Sequence, residues 1–169
     1  MANYIYSIKS IKYGTPTGTG TMPASGDLTD LGNTVKGSVT IDESEGTVTP
    51  FNVDQKKDPI LVLSSGGDEL SVVAQFPDIS YAALAALKGG TSSSAGGFNT
   101  FTPAIGFTTI QKALECELDS GHKINIFNAQ IFARITNGGG RDKMLAMALT
   151  ATPLLTADGL SNWEIKKAI

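Results

Sequence analysis

Between Glu115 and Ile135 the chain reads ECELDSGHKINIFNAQIFARI, two runs of alternating apolar and polar residues that meet at Asp-Ser-Gly. Alternation with a period of two marks strands with one buried face, and a glycine in the left-handed conformation closes a three-residue turn. With Gly121 in that position, Leu118 pairs with His122 and Glu117 with Lys123. The same register sets Cys116 opposite Ile124 and Leu114 opposite Ile126 on an apolar face, and Glu115 opposite Asn125 beside Glu117 and Lys123 on a polar one. After Ile126 the apolar parity passes to Phe127, Ala129, Ile131, Ala133 and Ile135. That change predicts a bulge or bend near Ile126 and Phe127, where the strand passes from one sheet to another.

The rest of the chain follows the same β pattern. Residues 4–13 mix β-branched and aromatic residues with lysines, as a half-buried strand does, and residues 14–32 form a long Gly- and Thr-rich connection. NTVKGSVTI and EGTVTPFNV read as a hairpin across the charged turn DESEG, with Pro50 marking an edge or bulge. ILVLSS and ELSVVAQF are two further strands separated by the turn signal GGD. One helix is expected over about 78–88, capped by Asp78, closed by Gly89, and burying Ile79, Ala83, Leu84, Ala86 and Leu87 over about three turns. TSSSAGGFNTFTPAIG then reads as a second flexible loop carrying Phe98 and Phe101. Strands are expected again over 108–118, 123–135, 143–152 and 163–167, with Trp163 as a half-buried anchor of the last. The fold class is therefore mainly β, a β-sandwich or partial barrel with one flanking helix and long loops. No repeat or linker divides residues 1–169, so a single domain is expected.

Chemistry finds little to stand on. The only cysteine and the only histidine, Cys116 and His122, lie two ladder positions apart in this register, too far for a nucleophile and base in contact. Cys116 reads as a small buried hydrophobe and His122 as a residue of the hairpin tip. One His and one Cys fall short of a zinc ligand set, and Asp42, Glu43 and Glu45 lack the spacing of a calcium loop. GTGTMP and GGTSSSAGG do not end in Gly-Lys-Ser/Thr and do not join a strand to a helix, so no phosphate cradle is read. No catalytic, metal or cofactor residue is assigned, and no enzyme is expected. A net charge of −3, from 13 basic and 16 acidic residues, supplies no field for tight nucleic-acid binding. The chain has no apolar run of ~20 residues and no signal-like start, so a mature protein made in the cytosol and not inserted in a membrane is expected.

The order of features is the telling part: an N-terminal strand, a long loop ending in LGNTVKGSVTI, a β-block closing at VAQFPDISYAALAALKGG, the hairpin ALECELDSGHKINIFNAQIFARI and a short last strand NWEIKKA. This order resembles the major tail tube proteins of tailed bacteriophages and the related tube subunits of contractile injection systems. The resemblance implies hexameric rings stacked into a hollow tube, with strands of the six copies joined around the lumen and extended loops reaching the next ring. It also implies a virion protein assembled in the host cytoplasm, conducting DNA during ejection, with tape measure, sheath or terminator proteins as further partners. On that reading the loop residues Thr15, Pro16, Met22, Pro23, Leu28, Phe98 and Phe101 are candidates for the subunit or ring interface. A tube that passes DNA must not hold it, so a neutral to acidic wall is expected, with at least one of two groups toward the lumen, Asp42, Glu43 and Glu45 or Glu115 and Glu117. The alternative is a β-sandwich binding module, for example for carbohydrate, that does not assemble.

Overall fold

The computed structural model of the chain describes residues 7–51, 61–65, 69–78, 80–106, 108–136, 145–156, 159 and 162–167, with 47, 48 and 61–65 described by their backbone. Its elements are β1 (Ile8–Gly14), β2 (Thr29–Asp30), β3 (Thr40–Glu43), β4 (Thr47–Phe51), β5 (Leu61–Ser65), β6 (Leu70–Phe76), α1 (Tyr81–Lys88), β7 (Gly90–Ala95), β8 (Phe98–Pro103), β9 (Ile110–Leu118), β10 (His122–Thr136), β11 (Ala146–Pro153) and β12 (Trp163–Lys167). Of the expected elements, Tyr4 to Tyr6, Asn52 and Val53, the Gly66-Gly67-Asp68 turn, Ile79 and Lys143 lie outside the described residues.

β10 holds the fold together because it belongs to two layers. Gly121 has φ +77°, its N–H donates to the Leu118 carbonyl at 2.9 Å, and Glu117, Cys116, Glu115 and Leu114 face Lys123, Ile124, Asn125 and Ile126. This is the register that the alternation predicts. The ladder with β9 then shifts between Ile126 and Ala129. Before the shift, β10 has β12 on its other side; after it, β11 takes that place. A bulge bends the strand at this point and exchanges its inner and outer faces. The eight-stranded sheet, β2-β1-β9-β10-β11-β6-β3 with β12 beside β10, therefore folds over on itself as a sandwich, β1, β9, β12 and the first half of β10 against β11, β6, β3 and the second half.

One core fills the space between the layers. Ile11, Leu114, Cys116, Ile124 and Ile126 come from the first layer and Val72, Ala74, Phe76, Ile131, Met147 and Leu149 from the second. α1 closes one end with Ala83, Leu84 and Leu87. Its N-cap is Ser80, whose Oγ accepts from the Ala83 N–H at 3.1 Å, so the expected cap at Asp78 is corrected by two residues and the helix is eight residues long. Gly89, at φ +82°, ends it as expected.

Two expectations about pairing are corrected. NTVKGSVTI and EGTVTPFNV do not pair with each other: β3 pairs with β6 and β4 with β5. They lie in succession on one side of a longer ribbon whose other side is β5 and β6, and the register slips by one residue between the Glu43–Leu70 and Thr47–Ser65 pairs. The charged stretch after Glu43 is thus a slip in a ribbon and not its turn. Val35 to Ser38 lie outside the strand, where the Val35 N–H donates to the Gln75 carbonyl at 2.8 Å. The segment read as a flexible loop at 91–106 is mostly the hairpin β7–β8, with Ala95 facing Phe98 across Gly96 and Gly97 at φ +61° and +81°. Two consecutive glycines at positive φ make the two-residue turn whose twist suits a hairpin.

Candidate functional site

Cys116 and His122 are the natural starting point. Cys116 is fully buried, and that burial, with Glu115 beside it, pushes its thiol up to about 12. A thiol held protonated is a poor nucleophile. His122 is itself buried and its Nδ1 hydrogen-bonds Ser120 Oγ at 2.9 Å, so it fastens the turn instead of standing free at the tip. Cys116→Ala is expected to cost about 1 to 2 kcal/mol in chemical denaturation. The native thiol should stay inert to a thiol reagent until the chain unfolds.

The outer face of the first layer is a ladder of opposite charges. One row runs Lys12, Glu115, Asn125, Glu164 across β1, β9, β10 and β12, and the next Ser10, Glu117, Lys123, Lys166. Lys123 Nζ stands 3.1 Å from Glu115 Oε1 and Lys12 Nζ 3.8 Å from it, Asn125 Nδ2 donates to Glu164 Oε1 at 2.7 Å, and Lys166 Nζ is 3.2 Å from the same oxygen. Lys9 Nζ donates to Glu117 Oε1 at 2.6 Å. Register alone predicts Lys123 against Glu117. The long lysine reaches diagonally to Glu115 instead, because Lys9 already occupies Glu117, and the stems packed around Glu115 and Asn125 leave both buried.

The hydrogen bond from Lys9, ahead of its charge, holds the Glu117 carboxyl below the ordinary carboxylate range and Lys9 above the ordinary lysine value. A lowered carboxyl contributes stability that is present above its unfolded pKa and lost as pH falls through the lowered one; the raised lysine contributes below its unfolded pKa and loses it as pH rises through the raised one. Lys9→Ala should therefore move the Glu117 titration upward in NMR while leaving stability at neutral pH nearly unchanged, since Lys9 is largely exposed and Lys123 and Lys12 remain near Glu117.

The outer face of the second layer is different. Gln130, Phe132 and Arg134 of β10 stand beside Thr152, Thr150 and Ala148 of β11, followed by Val73 and Gln75 of β6 and by Thr40 and Asp42 of β3. Among the described residues of these strands, Arg134 and Asp42 are the only charged ones on it. Among the described residues neither forms an ion pair, and neither do Glu43, Glu45 and Lys88. The two acidic groups proposed from the sequence are therefore separated by the fold. Glu115 and Glu117 lie in the lysine-laced face of the first layer, and Asp42, Glu43 and Glu45 lie exposed at the far edge of the second.

This second block ends on an open edge at each side. β3 is the last strand of the sheet. At the other end β9 accompanies β10 only as far as the Ile131–Ile110 pair, so residues 132–136 have β11 on one side and no strand on the other among the described residues. Arg134 and Lys88 line a cleft of about 240 Å3 beside that edge. Sequence reading misses the edge, although its signal is present: the run 123–135 outlasts its hairpin partner once the bulge is counted.

The loop candidates are dispersed. Thr15 is exposed, Pro16, Met22, Pro23 and Leu28 are half-buried where residues 14–32 fold back along β1, and Leu28 lies against Gly14. Phe98 is 75% exposed at the hairpin tip, whereas Phe101 packs on the core. Among the described residues no group of three or more His, Cys, Asp or Glu could hold a metal ion, and no helix is long and apolar enough to cross a membrane. No protein-family model and no curated protein matches the chain.

Proposed function

We propose that the chain is a self-assembling structural subunit of the tail-tube kind, whose copies join head to tail into rings that stack around a channel for DNA. The observation that carries this reading is the block β10-β11-β6-β3, four antiparallel strands whose edges at both ends are unpaired among the described residues. Unpaired edges recruit strands, and proteins that do not use them blunt them with proline, inward charges or covering loops. Because the two edges belong to different strands, their union is heterologous, and such contacts close into rings when the rotation between copies allows. An even number of strands per copy keeps the direction alternating across each joint, so β3 of one copy runs antiparallel to β10 of the next.

In a ring closed this way the first layer and α1 take the larger radius and the outer face of the second layer becomes the channel wall. That wall carries the hydroxyls and amides of Thr40, Gln75, Gln130, Thr150 and Thr152, the apolar Phe132, Val73 and Ala148, and one Arg134 and one Asp42 per copy, whose charges cancel. It offers DNA no lysine array to bind, which suits passage without retention. Six copies per ring, a place in the virion tail and the further tail partners come from the resemblance alone.

Negative-stain microscopy and sedimentation velocity on concentrated protein test the reading. Rings or tubes of uniform width are the expected result. Persistent monomers at every concentration would overturn it and favour a non-assembling binding module.

A further inference from the structure

Resting on the assembly reading above, we infer that the joint between copies is a strand pair of fixed register, Asp42 of β3 facing Arg134 of the next copy's β10. Three independent features select it. First, the faces must match: Thr40 and Asp42 share the bare face with Phe132 and Arg134, and Ile41 and Glu43 share the core face with Ala133 and Ile135. Since a slip of one residue turns every side chain to the wrong face, only registers two residues apart are permitted. Second, the open edge begins after Ile131, which β9 already occupies. Setting Arg134 opposite Asp42 gives Ala133, Ile135 and Thr136 to Glu43, Ile41 and Thr40, so every residue of β3 finds a partner on the free edge. The register two residues nearer Ile131 would set Glu43 against that occupied position.

Third, the chemistry of the pairs is complementary. Ile135 is 47% exposed and Ile41 half-buried in the single copy, and facing each other they cover the end of the core. Arg134 and Lys88 meet the acidic run of Asp42, Glu43 and Glu45, and among the described residues none of these five charges has an ion pair in its own copy. The occupant of each edge is thus a second copy of this chain, since the acidic edge and the basic edge are both its own.

Directly opposed residues of an antiparallel pair have the Cα separation that a disulfide needs. The test is an Asp42→Cys, Arg134→Cys variant on a Cys116→Ala background, oxidised after assembly. The expected result is a ladder of covalent oligomers ending at the ring size, with neither single-cysteine chain giving more than a dimer. Asp42→Arg and Arg134→Asp should each weaken association roughly tenfold or more through like-charge contact, and the double reversal should restore it. Circular dichroism separates these effects from failure to fold. If the double-cysteine chain does not fold, the charge reversals decide. Rings from the unaltered protein with no cross-linking at these positions, or with no rescue in the double reversal, would overturn the register while leaving the assembly reading intact. Absence of any ring from the unaltered protein would overturn the assembly reading itself and this joint with it.

Discussion

Phe76→Ala is expected to lower the unfolding free energy of the single copy by about 3 to 5 kcal/mol, a large share of the roughly 5 to 15 kcal/mol that holds a domain of ordinary stability together. Phe76 ends β6 facing Met147, is fully buried, and belongs to the cluster shared by both layers and α1. Truncation removes transfer free energy and leaves a cavity that neighbours on two sheet layers and a helix cannot all collapse to fill. Urea denaturation at a concentration too low for assembly measures it. Phe98→Ala is the comparison, because that ring is 75% exposed and its loss should stay within about 0.5 kcal/mol. A cost under about 1 kcal/mol for Phe76→Ala would mean that the two layers do not share one core.

How much of this was legible follows from which interactions are local. The β9–β10 hairpin could be read to the residue because turn glycine, apolar parity and polar parity all demand one register, and the change of parity after Ile126 announced the passage between layers. The β3–β6 and β4–β5 pairings could not, because short alternating runs fit several partners and the choice is made by distant packing against Val72 and Leu70. β7–β8 was hidden by composition: serines and threonines resemble a loop, and only the Gly-Gly turn between matched runs distinguishes a hairpin. The acidic candidates were legible as residues and illegible as a group. Whether Glu115 is paired depends on Lys12 and Lys123 arriving from other positions in the sheet, while Asp42 meets no such partner among the described residues.

Replacing residues 45–68 by Asn-Gly, so that Ser44 and Glu69 are joined by a two-residue turn, is expected to leave the single copy as stable as before and to abolish the stacking of rings. Among the described residues β4 and β5 pair only with each other. Thr49 and Pro50 are exposed, Phe51 is 47% exposed, and among the described residues on this side of the ribbon Ile41 is the last packed on the core. None of the described core residues falls within 45–68, and shortening the connection lowers its closure entropy slightly. The Ser44 N–H already donates to the Glu69 carbonyl at 3.0 Å, which gives the new turn a formed pair to close on. A two-stranded ribbon alone is marginal in water, so under the proposed assembly this ribbon is the part of the chain that contact with the next ring would hold. β3 itself is retained, and with it the edge proposed to join copies within a ring. Single rings without tubes in negative stain, at an unchanged denaturation midpoint, are the expected result. Tubes as long as those of the unaltered protein would remove the ribbon from the interface, and loss of the rings as well would show that it also serves the joint between neighbouring copies.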